Sequence, residues 1–330
     1  MPAEAGGRTR LIVSVADSPE LRQSLERILP AEAVAFVGPS DPGPWPAAEA
    51  WLLGSVAREL PQWTPELTPR LRFVQRLFTG LDGFPFDRFP DSVQIAGNVG
   101  AFAPFVAEHA VALLLGVTHN VVLNADRVRE GRLRPPASNR YLIDRTVLLL
   151  GYGAIAREIA ARLRPFGPRL EGLSRDGKGV AGLDRMHAAP HLTDALAGAD
   201  IVIDCRPLTD STRGTIDVTA LGRMRPAAIY VNIGRAGTVD EAALFEHLSH
   251  HPDFRAALDV WWEENYEAGS FTTRYPFATL PNFLGSPHVA SVGEPARVRA
   301  IEMAVENLGR FFQGVRPNHV GDRADYARSH

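Results

Sequence analysis

The stretch Thr146-Val-Leu-Leu-Leu-Gly-Tyr-Gly-Ala-Ile-Ala-Arg-Glu-Ile-Ala-Ala-Arg-Leu163 decides the fold. An apolar run leads directly into a glycine turn that opens a segment with helical spacing. This order is typical of the first strand, turn and helix of a Rossmann domain. Gly151 permits the tight turn, and Gly153 lets a pyrophosphate approach the N–H groups at the start of the helix. Ala156 stands at the third glycine position. The candidate cofactor-binding residues here are Gly151, Tyr152, Gly153, Ala154 and Ile155.

The end of the next predicted strand indicates which dinucleotide is bound. In NAD-binding domains an Asp or Glu about 20 residues on accepts a hydrogen bond from the ribose 2′-hydroxyl. Here the strand Arg169–Leu173 is followed by Ser174 and Arg175, and an arginine can bind a 2′-phosphate through two hydrogen bonds. The competing carboxylates are Glu171, in mid-strand, and Asp176, beyond the strand end. We therefore predict that NADP(H) is favoured over NAD(H).

Apolar runs along the rest of the chain predict α/β architecture with parallel sheets. Five candidate strands lie in the first hundred residues: Leu11–Val15, Ala33–Val37, Ala50–Leu53, Arg72–Leu77 and Gln94–Gly97. Six later ones predict a doubly wound sheet: Thr146–Leu150, Arg169–Leu173, Ile201–Asp204, Ala228–Asn232, Ala256–Asp259 and Phe283–Gly285. Helical spacing predicts one long helix over Ala103–Glu130 and an amphipathic helix over Glu294–Phe312.

Composition excludes several other classes of protein. The 330 residues carry a net charge of −3, which gives no electrostatic reason to expect nucleic acid as a partner. The single cysteine, Cys205, argues against a disulfide framework and a thiolate metal site. Lys178, the only lysine, lies in an apparent loop and is unsuited to Schiff-base chemistry. No signal peptide or membrane-spanning run is visible, so we expect a cytoplasmic protein without metal.

Polar side chains follow three of the later predicted strands, where ligands bind in open α/β sheets. They are Arg235, the adjacent acids Glu263 and Glu264, and His288. A carboxylate beside an imidazole stabilises the protonated ring and makes it a proton donor. An arginine can bind a carboxylate through two parallel hydrogen bonds. One arginine, one acid and one histidine at successive strand ends suit the hydride reduction of a 2-keto acid.

Five spaced motifs together resemble the D-isomer-specific 2-hydroxyacid dehydrogenase family, which includes glyoxylate/hydroxypyruvate reductases. They are Gly-Tyr-Gly-Ala-Ile-Ala, Pro207-Leu-Thr-Asp-Ser-Thr212, Asn-Ile-Gly-Arg, Leu-Asp-Val-Trp-Trp-Glu-Glu and Ser-Pro-His. The resemblance covers nearly the whole chain. It implies a Rossmann cofactor domain, residues 101–289, inserted in a flavodoxin-like α/β substrate domain. That second domain comprises residues 1–100 and a returning C-terminal helix, residues 290–330. We also expect a homodimer that acts on a small 2-keto or 2-hydroxy acid.

The resemblance also implies roles for single residues. Arg235 would bind the substrate carboxylate and carbonyl, and His288 would be the acid/base that protonates the carbonyl oxygen. The family's acid lies five residues after the strand-end Asp259, which selects Glu264 over Glu263. The remaining implied residues are Thr79 and Gly80 for the substrate, and Ser174, Arg175, Cys205, Arg206, Pro207, Thr212, Ile233 and Asp259 for the cofactor, with Asp259 at the nicotinamide carboxamide.

The chain departs from the family pattern in a few places. Asn265 replaces a usual proline and opens an aromatic-rich stretch, Tyr266 to Phe277. Arg206 replaces a residue that is commonly apolar or Cys, and its side chain is either a ligand of adenine or phosphate or a surface arginine. Trp261 and Trp262 either line the substrate pocket or belong to the core. Cys205 is most simply a small residue near the cofactor and not a nucleophile.

Two alternative functions remain open on this fold. One is a dinucleotide-sensing binding protein like the C-terminal-binding corepressors. The other is a dehydrogenase of the formate or phosphite type, for which we see no specific set of residues.

Overall fold

The chain divides into two compact units, residues 1–102 with 292–330 and residues 103–291. The computed structural model describes residues 9–38, 43–54, 56, 60, 63–133, 138–178, 182–265 and 268–326. Each predicted domain border, after residues 100 and 289, lies two residues before the corresponding border between the units.

Strands and helices alternate along the described residues. The strands are β1 (Leu11–Val13), β2 (Val34–Phe36), β3 (Ala50–Leu53), β4 (Phe73–Arg76), β5 (Gln94–Ala96), β6 (Thr146–Leu150), β7 (Arg169–Ser174), β8 (Arg185–Ala188), β9 (Ile201–Asp204), β10 (Ile229–Asn232), β11 (Arg255–Leu258), β12 (Glu263–Asn265), β13 (Ser270–Thr272) and β14 (Phe283–Gly285). The helices are α1 (Pro19–Glu26), α2 (Ala103–Thr118), α3 (Val121–Arg129), α4 (Ala154–Leu163), α5 (Leu192–Gly198), α6 (Val218–Arg223), α7 (Glu241–His250) and α8 (Glu294–Phe312).

The first unit is built on a parallel sheet in the order β2-β1-β3-β4-β5, which contains all five strands predicted before residue 100. Leu11, Leu53 and Phe73 are fully buried in it. The predicted C-terminal helix is α8, with the predicted bounds. It lies against β4, because Asn307 Nδ2 donates to Gln75 Oε1 at 2.6 Å.

The second unit is built on a seven-stranded parallel sheet in the order β14-β11-β10-β9-β6-β7-β8. The chain enters at β6, moves outward to β7 and β8, and then returns to β9 on the other side. Strand order therefore reverses beside β6, and the carboxyl ends of the strands flanking such a reversal are where ligands bind. The Rossmann prediction is confirmed.

The sequence predicted six strands in this sheet and missed the edge strand β8. Its Arg-Met-His-Ala sequence lacks the apolar run that marked the other strands. An edge strand tolerates such residues because one side of it is not covered by another strand.

The long helix predicted over Ala103–Glu130 was wrong, because two helices, α2 and α3, occupy it with a bend of 57°. Asn120 lies at the break with φ 53°, a left-handed conformation that asparagine tolerates better than most residues. Its Nδ2 donates to the carbonyl of Ser138 at 3.2 Å and holds the break in place. Among the described residues no single helix is long and apolar enough to span a membrane; only α2 and α3 taken together pass that test.

Candidate active site

The glycine turn joins β6 to α4 in the predicted way. Gly151 has φ +82°, and a Cβ there would lie 2.8 Å from Cγ of Arg206, so only glycine fits. A Cβ on the exposed Gly153 would meet nothing within 4 Å. Because α4 begins at Ala154, the N–H groups of its first turn have no partners within the helix and favour an anion. Open space in front of this helix end fits the pyrophosphate of a dinucleotide.

Ser174 and Arg175 lie where the sequence placed them, at the carboxyl end of β7. Ser174 Oγ accepts a hydrogen bond from the N–H of Gly177 at 3.1 Å, and Arg175 is exposed. The competing carboxylate of Asp176 pairs with Nζ of Lys178 at 3.1 Å. That hydrogen bond lowers the pKa of Asp176.

The other competing carboxylate, Glu171, points to the neighbouring edge strand. Its Oε2 lies 2.7 Å from Nε2 of His187, and both side chains are nearly buried. The sequence did not predict β8, the strand that carries His187. It therefore could not predict the pairing of Glu171 with His187. A buried, paired Glu171 is poorly placed to accept from a ribose hydroxyl.

The loop after β9 carries the remaining predicted cofactor residues. Thr212 Oγ1 donates to the carbonyl of Pro207 at 2.7 Å and accepts from the N–H of Thr209 at 2.9 Å, which fixes the loop. Ile233 is buried. Burial and the charge of Asp204 raise the pKa of the Cys205 thiol, which disfavours the reactive thiolate.

Arg206 is not a surface arginine, which was one of the two alternatives that the sequence left open; its part in cofactor binding stays a prediction. It is 6% exposed. Its Nε and Nη2 donate to the two carboxylate oxygens of Asp204 at 2.9 and 2.6 Å. Its Nη1 donates to Oγ1 of Thr215 at 2.9 Å. The guanidinium therefore belongs to the interior of the second unit.

His288 and Glu264, the predicted acid–base pair, lie within hydrogen-bond distance of each other. His288 Nδ1 lies 2.7 Å from Glu264 Oε1, and both side chains are partly buried. The N–H of Trp261 donates to the same carboxylate oxygen at 2.9 Å. His288 follows β14 and has φ 54°, an uncommon left-handed conformation that occurs often at functional sites.

A β-hairpin that the sequence did not predict decides which of the two acids meets His288. Glu263 and Glu264 lie on β12, where successive side chains face opposite sides. Glu263 Oε2 accepts from Oγ1 of Thr272 on β13 at 2.6 Å. Glu264 faces the other side and reaches His288. Tyr266, in the predicted aromatic stretch, lies outside the described residues.

The two tryptophans before the hairpin are held by packing. Trp261 is 9% exposed and stacks on Phe271 at 4.1 Å between ring centroids. Trp262 stacks on Phe277 at 5.4 Å and donates from Nε1 to the carbonyl of Val239. Of the two alternatives, the structure favours a core role for both.

Asp259 ties down the loop that carries His288. Its carboxylate, 1% exposed, accepts from Oγ of Ser286 at 2.5 Å and from the N–H groups of Val289 and Ala290 at 3.0 Å. His109 Nε2, from α2, lies 3.3 Å from Asp259 Oδ1. Sequence reasoning assigned Asp259 to the nicotinamide and gave His109 no role. No spacing in the sequence links α2 to this loop.

Replacing Asp259 with asparagine is expected to lower both stability and kcat, because an amide cannot accept all of these hydrogen bonds. One unsatisfied buried donor costs about 1–3 kcal/mol. Burial alone would raise the pKa of Asp259, but hydrogen bonds from His109, Ser286 and the backbone outweigh it and lower the pKa. The carboxylate therefore stabilises the fold at neutral pH, and that contribution is lost as pH falls below about 4. Thermal melts at a series of pH values measure the difference in Tm between wild type and Asp259→Asn. This difference should shrink only below about pH 4. A difference in Tm that vanishes already at about pH 6 would contradict the prediction.

Arg235 follows β10, so it lies at the same edge of the sheet as the residues after β11 and β14, its successive neighbours. Its side chain is half-buried, and its Nη1 donates to the carbonyl of Gly234 at 2.8 Å. The second unit thus carries Arg235 and His288 after strands of one sheet, β10 and β14, and Glu264 on the hairpin that follows β11, the strand between them. Thr79 and Gly80 belong to the first unit, where Thr79 Oγ1 donates to the carbonyl of Asn98 at 3.1 Å. Their part in substrate binding stays a prediction.

Comparison with known proteins identifies relatives of this chain. Residues 111–290 match the profile of the D-isomer specific 2-hydroxyacid dehydrogenase, NAD binding domain. The chain is 31% identical over 264 residues to a glyoxylate reductase of Aeropyrum pernix, covering 77% of each chain. It is 31% identical over 249 residues to glyoxylate/hydroxypyruvate reductase B of Serratia proteamaculans, covering 73% of this chain and 74% of that one. The solved structure of a candidate formate dehydrogenase from Pyrobaculum aerophilum is 29% identical, with a TM-score of 0.81 over 96% of this chain and 100% of that one.

The profile match spans more than half of the chain and includes Arg235, Glu264 and His288. The chain therefore belongs to the D-isomer-specific 2-hydroxyacid dehydrogenase family, and it is an oxidoreductase of CH–OH groups that uses a nicotinamide dinucleotide.

Proposed function

We propose that this protein reduces a 2-keto acid to the D-2-hydroxy acid and favours NADPH over NADH. The observation that carries the proposal is the 2.7 Å pair of His288 and Glu264 at the sheet edge that also bears Arg235. A proton donor and an arginine with a forked guanidinium at one edge of a sheet suit a 2-keto acid. The names of the glyoxylate and hydroxypyruvate reductase relatives support the same substrate class.

The chain's residues account for the proton and for the substrate's charge. A reduced nicotinamide dinucleotide bound at the glycine turn supplies the hydride. Arg235 binds the carboxylate and polarises the carbonyl. Because His288 Nδ1 is held by Glu264, we assign Nε2 to the carbonyl oxygen. His288 gives that oxygen its proton as C2 accepts the hydride, so the imidazole ends neutral while Glu264 remains ionised and holds the ring.

A steady-state screen tests the proposal. Glyoxylate, hydroxypyruvate, pyruvate and phenylpyruvate are each offered with NADPH and with NADH, and formate and phosphite are offered with the oxidised cofactors. Reduction of at least one keto acid supports the proposal. Oxidation of formate or phosphite alone would assign the second dehydrogenase class instead. Tight cofactor binding without turnover of any of these compounds would favour the dinucleotide-sensing binding protein.

Arg175→Ala is expected to raise the KM for NADPH by roughly ten- to a hundredfold, since a hydrogen bond to a charged group contributes about 1.5–3 kcal/mol. The KM for NADH should change little, because NADH lacks the 2′-phosphate. Initial rates at varied cofactor concentration measure both. Arg169→Ala is the matched control, since Arg169 is exposed at the opposite end of the same strand. Equal changes for the two cofactors would refute the phosphate role of Arg175.

We also propose a homodimer, supported by an apolar surface on the second unit. Large apolar side chains there are at least half exposed: Val121, Val122, Val128, Leu133, Tyr141 and Ile143. Val121 and Val128, seven residues apart on α3, lie on one face of that helix. Exposed large apolar side chains mark an interaction site where they form a patch. Sedimentation velocity measures the mass in solution, and a monomer at micromolar concentration would overturn the dimer.

A further inference from the structure

A buried ion pair lies directly beneath the glycine turn. The side chains of Asp204 and Arg206 are 0% and 7% exposed. Two buried charges carry a desolvation cost that their attraction alone often fails to offset. Here the carboxylate also accepts from the N–H of Arg206 at 3.0 Å and from the hydroxyl of Tyr230 at 3.2 Å. The pair is thus fully hydrogen-bonded, which is the condition under which such a pair holds one geometry.

Arg206 touches two glycines of the site. A Cβ on Gly151 would meet its side chain at 2.8 Å, and a Cβ on Gly234 would meet its carbonyl oxygen at 2.5 Å. Gly151 belongs to the dinucleotide turn and Gly234 immediately precedes Arg235. Arg206 therefore fills the space between the cofactor turn and the segment that carries Arg235.

Two further side chains continue from Asp204 to the backbone of Arg235. Thr238 Oγ1, fully buried, lies 3.0 Å from Asp204 Oδ2 and 2.9 Å from the carbonyl oxygen of Arg235. Asn232 Nδ2 donates to the same carbonyl at 3.1 Å, and Asn232 Oδ1 accepts from the N–H of Gly234 at 3.0 Å. The carbonyl of Arg235 and the N–H of Gly234, the residue before it, are therefore held by buried polar side chains.

We propose that Arg206 and Asp204, acting through Thr238 and Asn232, are positioning residues for Arg235. They fix its main chain so that its guanidinium meets the substrate carboxylate at the correct distance from the dinucleotide. This inference rests on the proposed function. The sequence offered two other interpretations of Arg206, a ligand of adenine or phosphate and a surface arginine.

The first test is Thr238→Val, which keeps the shape of the side chain and removes the hydroxyl between Asp204 and Arg235. We expect kcat/KM for the keto acid to fall about tenfold or more, as expected when a buried hydrogen bond that orients a catalytic group is lost. The Kd of NADPH should stay within about twofold, and Thr238→Ser should restore kcat/KM. In an Arg235→Ala background Thr238→Val should have no further effect, because groups that act as a unit are not additive.

Arg206→Met is the second variant, and Arg255→Met is its matched control. Arg255 is equally buried, at 6%, and donates to the carbonyls of Val117, Thr118 and Ser138. It begins β11, at the end of the sheet away from the site. Both variants should lower Tm, but only Arg206→Met should also lower kcat/KM for the keto acid. Equal losses of kcat/KM in both, or a wild-type kcat/KM in Thr238→Val, would overturn the proposal.

The inference can also be tested if the screen finds no substrate. Binding of oxamate, a carboxylate probe, to the NADPH complex can be followed by calorimetry in every variant. If wild type binds oxamate without reducing any keto acid, the proposed function fails, and the inference then requires weaker oxamate binding in Thr238→Val than in wild type. Unchanged binding overturns the inference alone. A wild type that neither reduces keto acids nor binds oxamate overturns both.

Discussion

His288→Asn is expected to lower kcat for keto-acid reduction by roughly 10²–10⁴-fold, the usual contribution of a positioned general acid. The asparagine amide has no acidic proton to give to the carbonyl oxygen. Asparagine is the suitable replacement because His288 has φ 54°, and asparagine adopts this left-handed conformation readily. The loop held by Asp259 should therefore keep its shape, and the Kd of NADPH should stay near the wild-type value.

Glu264→Gln is a second variant, which tests the partner of His288. The glutamine can still approach His288 Nδ1, but it cannot stabilise a charged imidazole. We therefore expect kcat to fall by a smaller factor than in His288→Asn. Glu263→Gln is the matched control, since Glu263 faces Thr272. A His288→Asn enzyme that keeps more than a tenth of wild-type kcat, or equal effects of the two glutamine variants, would contradict the assignment.

Arg235→Ala is expected to lower kcat/KM for the keto acid by about 10²–10³-fold. Losing a two-pronged contact with a carboxylate removes hydrogen bonds that each contribute about 1.5–3 kcal/mol. Arg235→Lys keeps the charge without the fork and should fall between alanine and wild type. Steady-state kinetics at saturating NADPH measure these losses.

Arg223→Ala provides the control for loss of an arginine, because Arg223 is exposed near the end of α6. It should leave kcat/KM unchanged. Retention of wild-type kcat/KM in Arg235→Ala would remove the carboxylate role and, with it, the reason to regard Arg235 as part of the site.

The sheet was readable from the sequence because its strands are buried on both faces. Thr146–Leu150 is an apolar run followed by a glycine turn, and such a pattern identifies both a strand and its place in the fold. The edge strand Arg185–Ala188 escaped, since its exposed side imposes no apolar pattern. The break at Asn120 also escaped, because helical spacing continues on both sides of it.

The sequence predicts the position of those site residues that directly follow a strand. Arg235 and His288 follow predicted strands, so their shared edge of the sheet follows from parallel topology. The choice of Glu264 over Glu263 rested on a resemblance, and its physical cause is the alternation of side chains along a hairpin. The burial of Arg206 could not be deduced from the sequence. An Asp and an Arg two residues apart, such as Asp204 and Arg206, occur equally well in an exposed turn.

The hairpin that carries Glu264 has a consequence for the behaviour of the enzyme on heating. In the part of the chain that the structure describes, the hairpin β12–β13 pairs with no strand of the large sheet, and a two-stranded ribbon alone is marginally stable in water. It is fastened by the stack of Trp261 on Phe271, while His288 is anchored to the large sheet through Asp259. One member of the acid–base pair thus belongs to a more weakly held element than the other, and local opening precedes global melting in such elements. Reversible thermal inactivation should therefore begin below the calorimetric Tm, and the upper working temperature of the enzyme would be set by its smallest sheet.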